Sequence, residues 1–125
     1  MRTIHVDRIS DAVRELCLKA NFELRKDVMS ALRREFQKEN DPRARRMLKS
    51  IIDNAVLARK MRLAICQDTG VACVFVEIGS DVRLIGGDLT GAINKGVRMA
   101  YSEGRLRKSV VLDPLIRKNT GTNTP

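Results

Sequence analysis

An α+β fold is what the sequence predicts: an N-terminal helical layer packed on a small β-sheet, with one further helix. Three observations carry the prediction. Apolar residues recur at helical spacing through the first half of the chain. A short β-branched run, Val71 to Ile78 (VACVFVEI), bounded by Gly70 and Gly79, then breaks that period. The helical period returns after Asp88. Residues 1–125 fit one domain or a large piece of one, helical over 1–62 and made of strand, helix and loop over 63–125.

The first helix is expected from about Ile9 to Ala20, where Ile9, Ala12, Val13, Leu16 and Ala20 share a face and Ser10 or Asp7 can cap. A second runs from about Lys26 to Glu39 with Val28, Ala31, Leu32, Glu35 and Phe36 in phase. Asp41-Pro42 then reads as an N-cap followed by proline at the first helical position. The helix that it opens carries Ala44, Met47, Leu48, Ile51, Ile52, Ala55 and Leu57 and runs to about Met61. Val71–Ile78 is expected as a mostly buried strand and Asp81–Ile85 as a second, ended by Gly86-Gly87. Asp88 caps a helix reaching Glu103, and Val110–Leu112 is a third strand candidate. From Asn119 the tail (NTGTNTP) has loop composition.

Composition narrows the function classes. The residues are 43% hydrophobic but only 3% aromatic, with no Trp, so the core is aliphatic. No stretch approaches the roughly 18–20 apolar residues of a membrane span, and Met1–Asp11 has no secretory apolar region. No membrane association and a cytoplasmic location are therefore expected. The 24 Lys and Arg against 15 Asp and Glu leave a net charge of +9. A solvated helix face would account for it, and so would a surface for nucleic acid, small dicarboxylates or an acidic partner. Single-stranded nucleic acid is disfavoured, because no aromatic stacking residues interleave the basic ones. Three cysteines, Cys17, Cys66 and Cys73, have no paired spacing and predict no disulfide framework. Cys17 and Cys73 read as small core residues, Met29, Met47, Met61 and Met99 as core or helix-face residues, and His5 as a surface or edge residue. Gly86-Gly87 is a turn before a helix, since no phosphate-loop spacing follows.

Cys66-Gln67-Asp68-Thr69-Gly70 is the string with chemistry in it. A thiol, an amide, a carboxylate and a hydroxyl stand in succession between a long helix and a strand, where a scaffold can position them. A polar turn with a buried Cys and a glycine at positive φ is the plainer alternative. Two later stretches add to it. Tyr101–Ser109 (YSEGRLRKS) supplies three cations just beyond a helix, and Asn119–Asn123 supplies amide and hydroxyl donors around a glycine. An arginine fork matches a carboxylate bidentately, so the set suits a metal-assisted reaction on a small carboxylic acid.

These stretches in order, ICQDTG, GGDL, AYSEGRLRKSVV and DPLIRKNTGTNTP, preceded by DPRARRMLKSIIDNAVLARKMRLAIC, resemble the N-terminal part of class I fumarases and of the alpha subunit of L-tartrate dehydratase. The resemblance covers essentially the whole chain. It implies a hydro-lyase that adds water to, or removes it from, a small dicarboxylic acid (fumarate/malate or tartrate). It also implies a 4Fe-4S cluster held by three cysteines, with one iron open to substrate. By the same resemblance Cys66 is one ligand, Gln67 and Asp68 lie beside the substrate, and Arg107 binds a substrate carboxylate. Asn119, Thr120 and Gly121 match a loop near the active site. Where the family usually has Pro two residues before that cysteine, this chain has Ala64. The other two ligands belong to the family's continuation beyond the residue matching Pro125. A partner subunit or a missing C-terminal part, an oligomer, and no activity from this chain alone are the expectations. The competing expectation is a truncated, non-catalytic interaction or nucleic-acid-binding module that retains the fold.

Overall fold

Pro42–Met61 forms the longest helix, and its start is the one that its sequence dictates. Asp41 is extended (φ −71°, ψ 121°) and its Oδ1 accepts from the amides of Arg43 (2.7 Å) and Ala44 (2.9 Å), satisfying donors that have no partner in the first turn. Asp41→Ala is expected to cost about 1 kcal/mol, read as a lower denaturant midpoint at unchanged slope.

The computed structural model describes residues 1–125. In chain order its elements are β1 (Arg2–His5), α1 (Val6–Phe22), α2 (Lys26–Lys38), α3 (Pro42–Met61), β2 (Val82–Ile85), α4 (Leu89–Glu103), β3 (Val111–Asp113) and β4 (Lys118–Asn119). They divide into two units: one of residues 1–18 and 67–125, the other of residues 19–66. The α+β class holds. The strands, however, make two separate two-stranded sheets rather than one: β1 pairs parallel with β2, Arg2 opposite Val82 through His5 opposite Ile85, and β3 pairs antiparallel with β4.

In the first unit, α4 packs on α1. Gly96 makes that possible: a Cβ on it would stand 2.5 Å from the Ser10 carbonyl oxygen and 2.7 Å from Val13 Cβ. Ser10, buried where the helices meet, donates from Oγ to the Ala92 carbonyl at 2.9 Å. Val6, Val13, Leu18, Ala92, Val97, Ala100, Tyr101 and Leu106 make up the core. Ion pairs Arg14–Glu103 (2.7 Å) and Lys95–Asp7 (2.8 Å) flank it. Asp88 caps α4 by accepting from the Gly91 amide at 2.7 Å. Ahead of it Gly86 and Gly87 take φ of +85° and +147°, conformations that favour glycine. A side chain on Gly86 would also run into the His5 ring.

In the second unit, α2 and α3 pack together with Ala55 and Ala58 of α3 and Phe22 buried. Arg62 ends α3 in the left-handed conformation (φ 53°), its amide and that of Leu63 both donating to the Ala58 carbonyl. Its guanidinium lies 5.6 Å from the Phe22 ring centroid.

Three expectations need correction. Val71–Ile78 is neither a strand nor buried: it is irregular, and Phe75 is 98% exposed. β-Branched residues favour a strand only where a neighbouring strand takes up the backbone groups, and none here does. Cys73 is consequently exposed rather than in the core. Met47 (68% exposed) and Met61 are helix-face residues, within the expectation of core or helix face. Finally, Arg2–His5, whose mixed residues show no strand pattern, becomes β1 because β2 offers it a parallel edge. Cys17 is half-buried, and no disulfide joins the three cysteines. His5 is exposed and stands 3.1 Å from Asp7. No helix is long and apolar enough to cross a membrane.

Candidate functional site

The stretch from Gln67 to Gly70 is irregular, so its position depends on what its backbone and side chains are tied to. Within the first unit two residues tie it. Thr69 Oγ1 donates to the Arg107 carbonyl at 2.8 Å. The Tyr101 hydroxyl, at the last turn of α4, donates to the Thr69 carbonyl at 2.8 Å and stands 3.2 Å from that of Gly70. Tyr101 is only 2% exposed. Burial pushes its pKa up from the ordinary 10.0, so the hydroxyl is held as a donor.

The C-terminal stretch joins the same knot. Asn123, 3% exposed and in the left-handed conformation (φ 60°), donates from Nδ2 to the Gly70 carbonyl (3.1 Å) and accepts at Oδ1 from the Val110 amide (3.0 Å). Thr120 donates its amide to the Val110 carbonyl (2.9 Å), and its Oγ1 accepts from the Asn123 amide (3.1 Å). Asn119 Nδ2 donates to the Lys108 carbonyl. Three stretches far apart in sequence, 67–70, 107–110 and 119–124, are thus held together by amides, hydroxyls and one phenol. Gln67, Asp68, Arg107, Asn119 and Gly121 keep exposed side chains or backbone around this knot. None of the chain's ion pairs uses Arg107.

Cys66 is the last residue of the second unit. The residue before it is pinned on both sides: the Ile65 amide donates to the Asn21 carbonyl (2.9 Å), and its carbonyl accepts from Asn54 Nδ2 (2.8 Å). Cys66 is exposed and lies at one end of an apolar groove of about 480 Å³ lined by Val28, Leu32, Met47, Ile51 and Ile65. One thiol does not make a metal centre. No group of three His, Cys, Asp or Glu side chains comes together anywhere in the chain. Cys17 is half-buried, with its thiol pKa pushed up by burial, which disfavours the thiolate that a metal needs. The residues present therefore make no whole ligand set for a metal or an iron–sulfur cluster.

The sequence reading passed over Tyr101 and Asn123 as organising residues. Only their burial and their partners single them out, although the isolated tyrosine of a nearly aromatic-free chain was a signal. Tyr101→Phe is expected to lower stability by about 1 kcal/mol. A second readout follows from its raised pKa. An acid whose folded pKa is raised stabilises fully below its unfolded pKa of about 10, and that contribution is lost as pH climbs through the folded value. Tyr101 is the chain's only tyrosine. Tyrosinate absorbance should accordingly titrate above its ordinary value in the folded chain and return to it in denaturant.

The fumarate hydratase (Fumerase) family model matches residues 10–125. The protein named "Putative L(+)-tartrate dehydratase subunit alpha" from Methanocaldococcus jannaschii is 38% identical over 117 residues, which is 93% of this chain and 41% of that protein. The anaerobic class I fumarate hydratase of Escherichia coli is 37% identical over 112 residues, 85% of this chain and 20% of that enzyme. The chain thus spans 41% and 20% of these relatives' own lengths. With a family match that takes in the knot, the helices before it and the Cys66 stretch, this chain belongs to the fumarate hydratase (Fumerase) family.

Proposed function

We propose that this chain is a component of an iron–sulfur hydro-lyase that adds water to, or removes it from, a small dicarboxylic acid, fumarate/malate or tartrate. Further polypeptide completes its cluster site, in a cytoplasmic oligomer. The observation that carries the reading is the knot of Thr69, Tyr101 and Asn123, which ties Gln67–Gly70 to the Arg107 stretch and to the loop of Asn119, Thr120 and Gly121. Family membership supports it.

In this reading Cys66 supplies one thiolate, and the 4Fe-4S cluster, when bound, supplies a Lewis-acidic iron. The chain's own residues do the rest of the recognition. Arg107 pairs with a substrate carboxylate in a two-point fork, fixing the acid's orientation as a lysine would not. Gln67 hydrogen-bonds the substrate, and the Asp68 carboxylate accepts from its hydroxyl. Asn119 and Thr120 add neutral donors, and Gly121 (φ +76°) lets the backbone turn close to the ligand.

The test is anaerobic reconstitution of the chain with iron and sulfide, alone and co-expressed with the part of the Methanocaldococcus jannaschii relative that lies outside the matched stretch. Cluster content and hydration of fumarate or dehydration of tartrate are expected only in the combination. A combination that forms a complex but holds no iron and turns over neither acid would sink the reading.

One observation favours a second reading, a non-catalytic module that binds an anionic partner. Residues 19–66 hold thirteen of the 24 basic and six of the 15 acidic residues, a net +7 of the chain's +9. Lys26, Arg33, Arg59 and Lys60, none of them in an ion pair, rim a groove of about 700 Å³ with Leu24, Met29, Ala55 and Val56 among its other lining residues. Binding of duplex DNA or RNA with a steep salt dependence, lost in Arg33→Glu with Arg59→Glu, would favour it.

A further inference from the structure

We infer that Val71–Ile78 is an unpaired strand that docks, by strand addition, onto the polypeptide that completes the enzyme. The inference rests on the proposed function for the identity of that partner, but the observations are independent of it.

None of residues 71–78 makes a hydrogen bond of any kind. Eight consecutive residues with every backbone donor and acceptor left to water are unusual in a folded chain, and here they are the most β-prone residues in the sequence. The stretch is exposed almost throughout: Val74 (38%), Val76 (48%) and Ile78 (44%) are only less so than Val71 (69%) and Phe75 (98%). Ala72 and Val74 border, with Ile93 and Val97 of α4, a gap of about 300 Å³, so even these less exposed residues are not closely packed. At its far end a turn, with the Val82 amide donating to the Gly79 carbonyl (3.0 Å), leads into β2, which is paired on one side only.

A row of free N–H and C=O groups at regular spacing selects a strand, since only another extended backbone meets it in register. Eight residues offer roughly 26 Å of pairing. Glu77 is the one charge in the stretch, so the incoming strand is apolar and β-branched on the face meeting Val71, Cys73 and Phe75. An exposed, proline-free edge with a single charge aggregates unless covered, which argues for an obligatory rather than an occasional partner. The stretch begins five residues after Cys66. Five residues of chain span at most about 18 Å, so the polypeptide bringing the remaining thiolates to Cys66 comes within reach of the start of the stretch, and this makes it the occupant rather than a second copy of the chain.

The experiment is hydrogen exchange on the full chain, alone and co-expressed with the unmatched part of the Methanocaldococcus jannaschii relative, both free of iron. Alone, amides 71–78 should exchange at near-unfolded rates while those of α4 are protected. In the complex they should slow at least tenfold. Val74→Pro, which removes a donor from a segment that bonds to nothing in the chain, should weaken the complex at least tenfold and leave α4 protection unchanged. Leu115→Asp, exposed elsewhere in the same unit, should change neither. Absence of a complex, a complex with 71–78 still exchanging fast, unchanged affinity in Val74→Pro, or protection of 71–78 by self-association of the chain alone each overturns the inference. Protection of 71–78 in a complex that holds no iron when reconstituted would leave the inference standing and overturn the proposed function instead. Iron binding with 71–78 unprotected would do the reverse.

Discussion

Cys66→Ser is expected to abolish cluster retention in the completed enzyme while leaving the chain's own fold intact. The serine hydroxyl is neutral at physiological pH and a poor ligand for iron, whereas a thiolate holds iron–sulfur clusters. Outer-shell changes at metal sites typically cost about 10–100-fold, so losing a ligand should take activity down by more than about a hundredfold. Iron content should fall with it. Cys66 is exposed, and the residue before it is pinned by two hydrogen bonds that the substitution leaves in place. Stability of the chain should therefore shift by less than about 1 kcal/mol. The measurements are iron and sulfide per complex, turnover, and the denaturation midpoint of the chain alone. Full iron content in Cys66→Ser would show that this thiol is not a ligand. Cys17→Ser, half-buried in α1 and not matched to a ligand position, is the control and should retain its iron.

Gly96→Val is the substitution expected to do most harm to the fold. The atoms that its side chain would meet are the Ser10 carbonyl oxygen and the Val13 side chain, neither of which is the loose end of a flexible chain. Both belong to α1, so the two helices must move apart, stretching the 2.9 Å bond from Ser10 Oγ to the Ala92 carbonyl and opening the core at Val97 and Ala100. Overpacking of this kind costs about 3 kcal/mol or more. In a domain of this size that is a fall in Tm on the order of 10 °C. Gly79→Ala, where a Cβ meets nothing within 4 Å, should stay within about 0.5 kcal/mol. Because α4 carries Tyr101, Gly96→Val should also loosen Gln67–Gly70, seen as tyrosinate absorbance titrating closer to its ordinary value.

The helices were legible because their signals are local. Asp41-Pro42 and Asp88 mark starts by capping chemistry that involves only the next three residues, and both starts are where that chemistry puts them. The strands were less so. Val71–Ile78 has a stronger β pattern than Arg2–His5, yet the latter pairs and the former does not, because pairing is decided by what lies alongside. The site divides in the same way. Cys66, Gln67, Asp68, Arg107, Asn119, Thr120 and Gly121 can be picked out by residue type and by family resemblance. Tyr101 and Asn123 cannot, since a buried phenol and a buried amide acquire their role only from carbonyls that the fold carries to them.

By itself, then, the sequence determined the α+β class, three of the four helix starts to within a residue, and membership of a hydro-lyase family, all through short-range or ordered-motif signals. Tertiary structure alone decided that the strands form two sheets, that Val71–Ile78 stands unpaired, and that residues 67–70, 107–110 and 119–124 meet around Tyr101 and Asn123. The physical reason is the range of the interactions. A cap or an amphipathic face is specified within a few residues, whereas a sheet partner or a buried hydrogen bond depends on groups tens of residues away whose arrival only the packing of α1 on α4 secures.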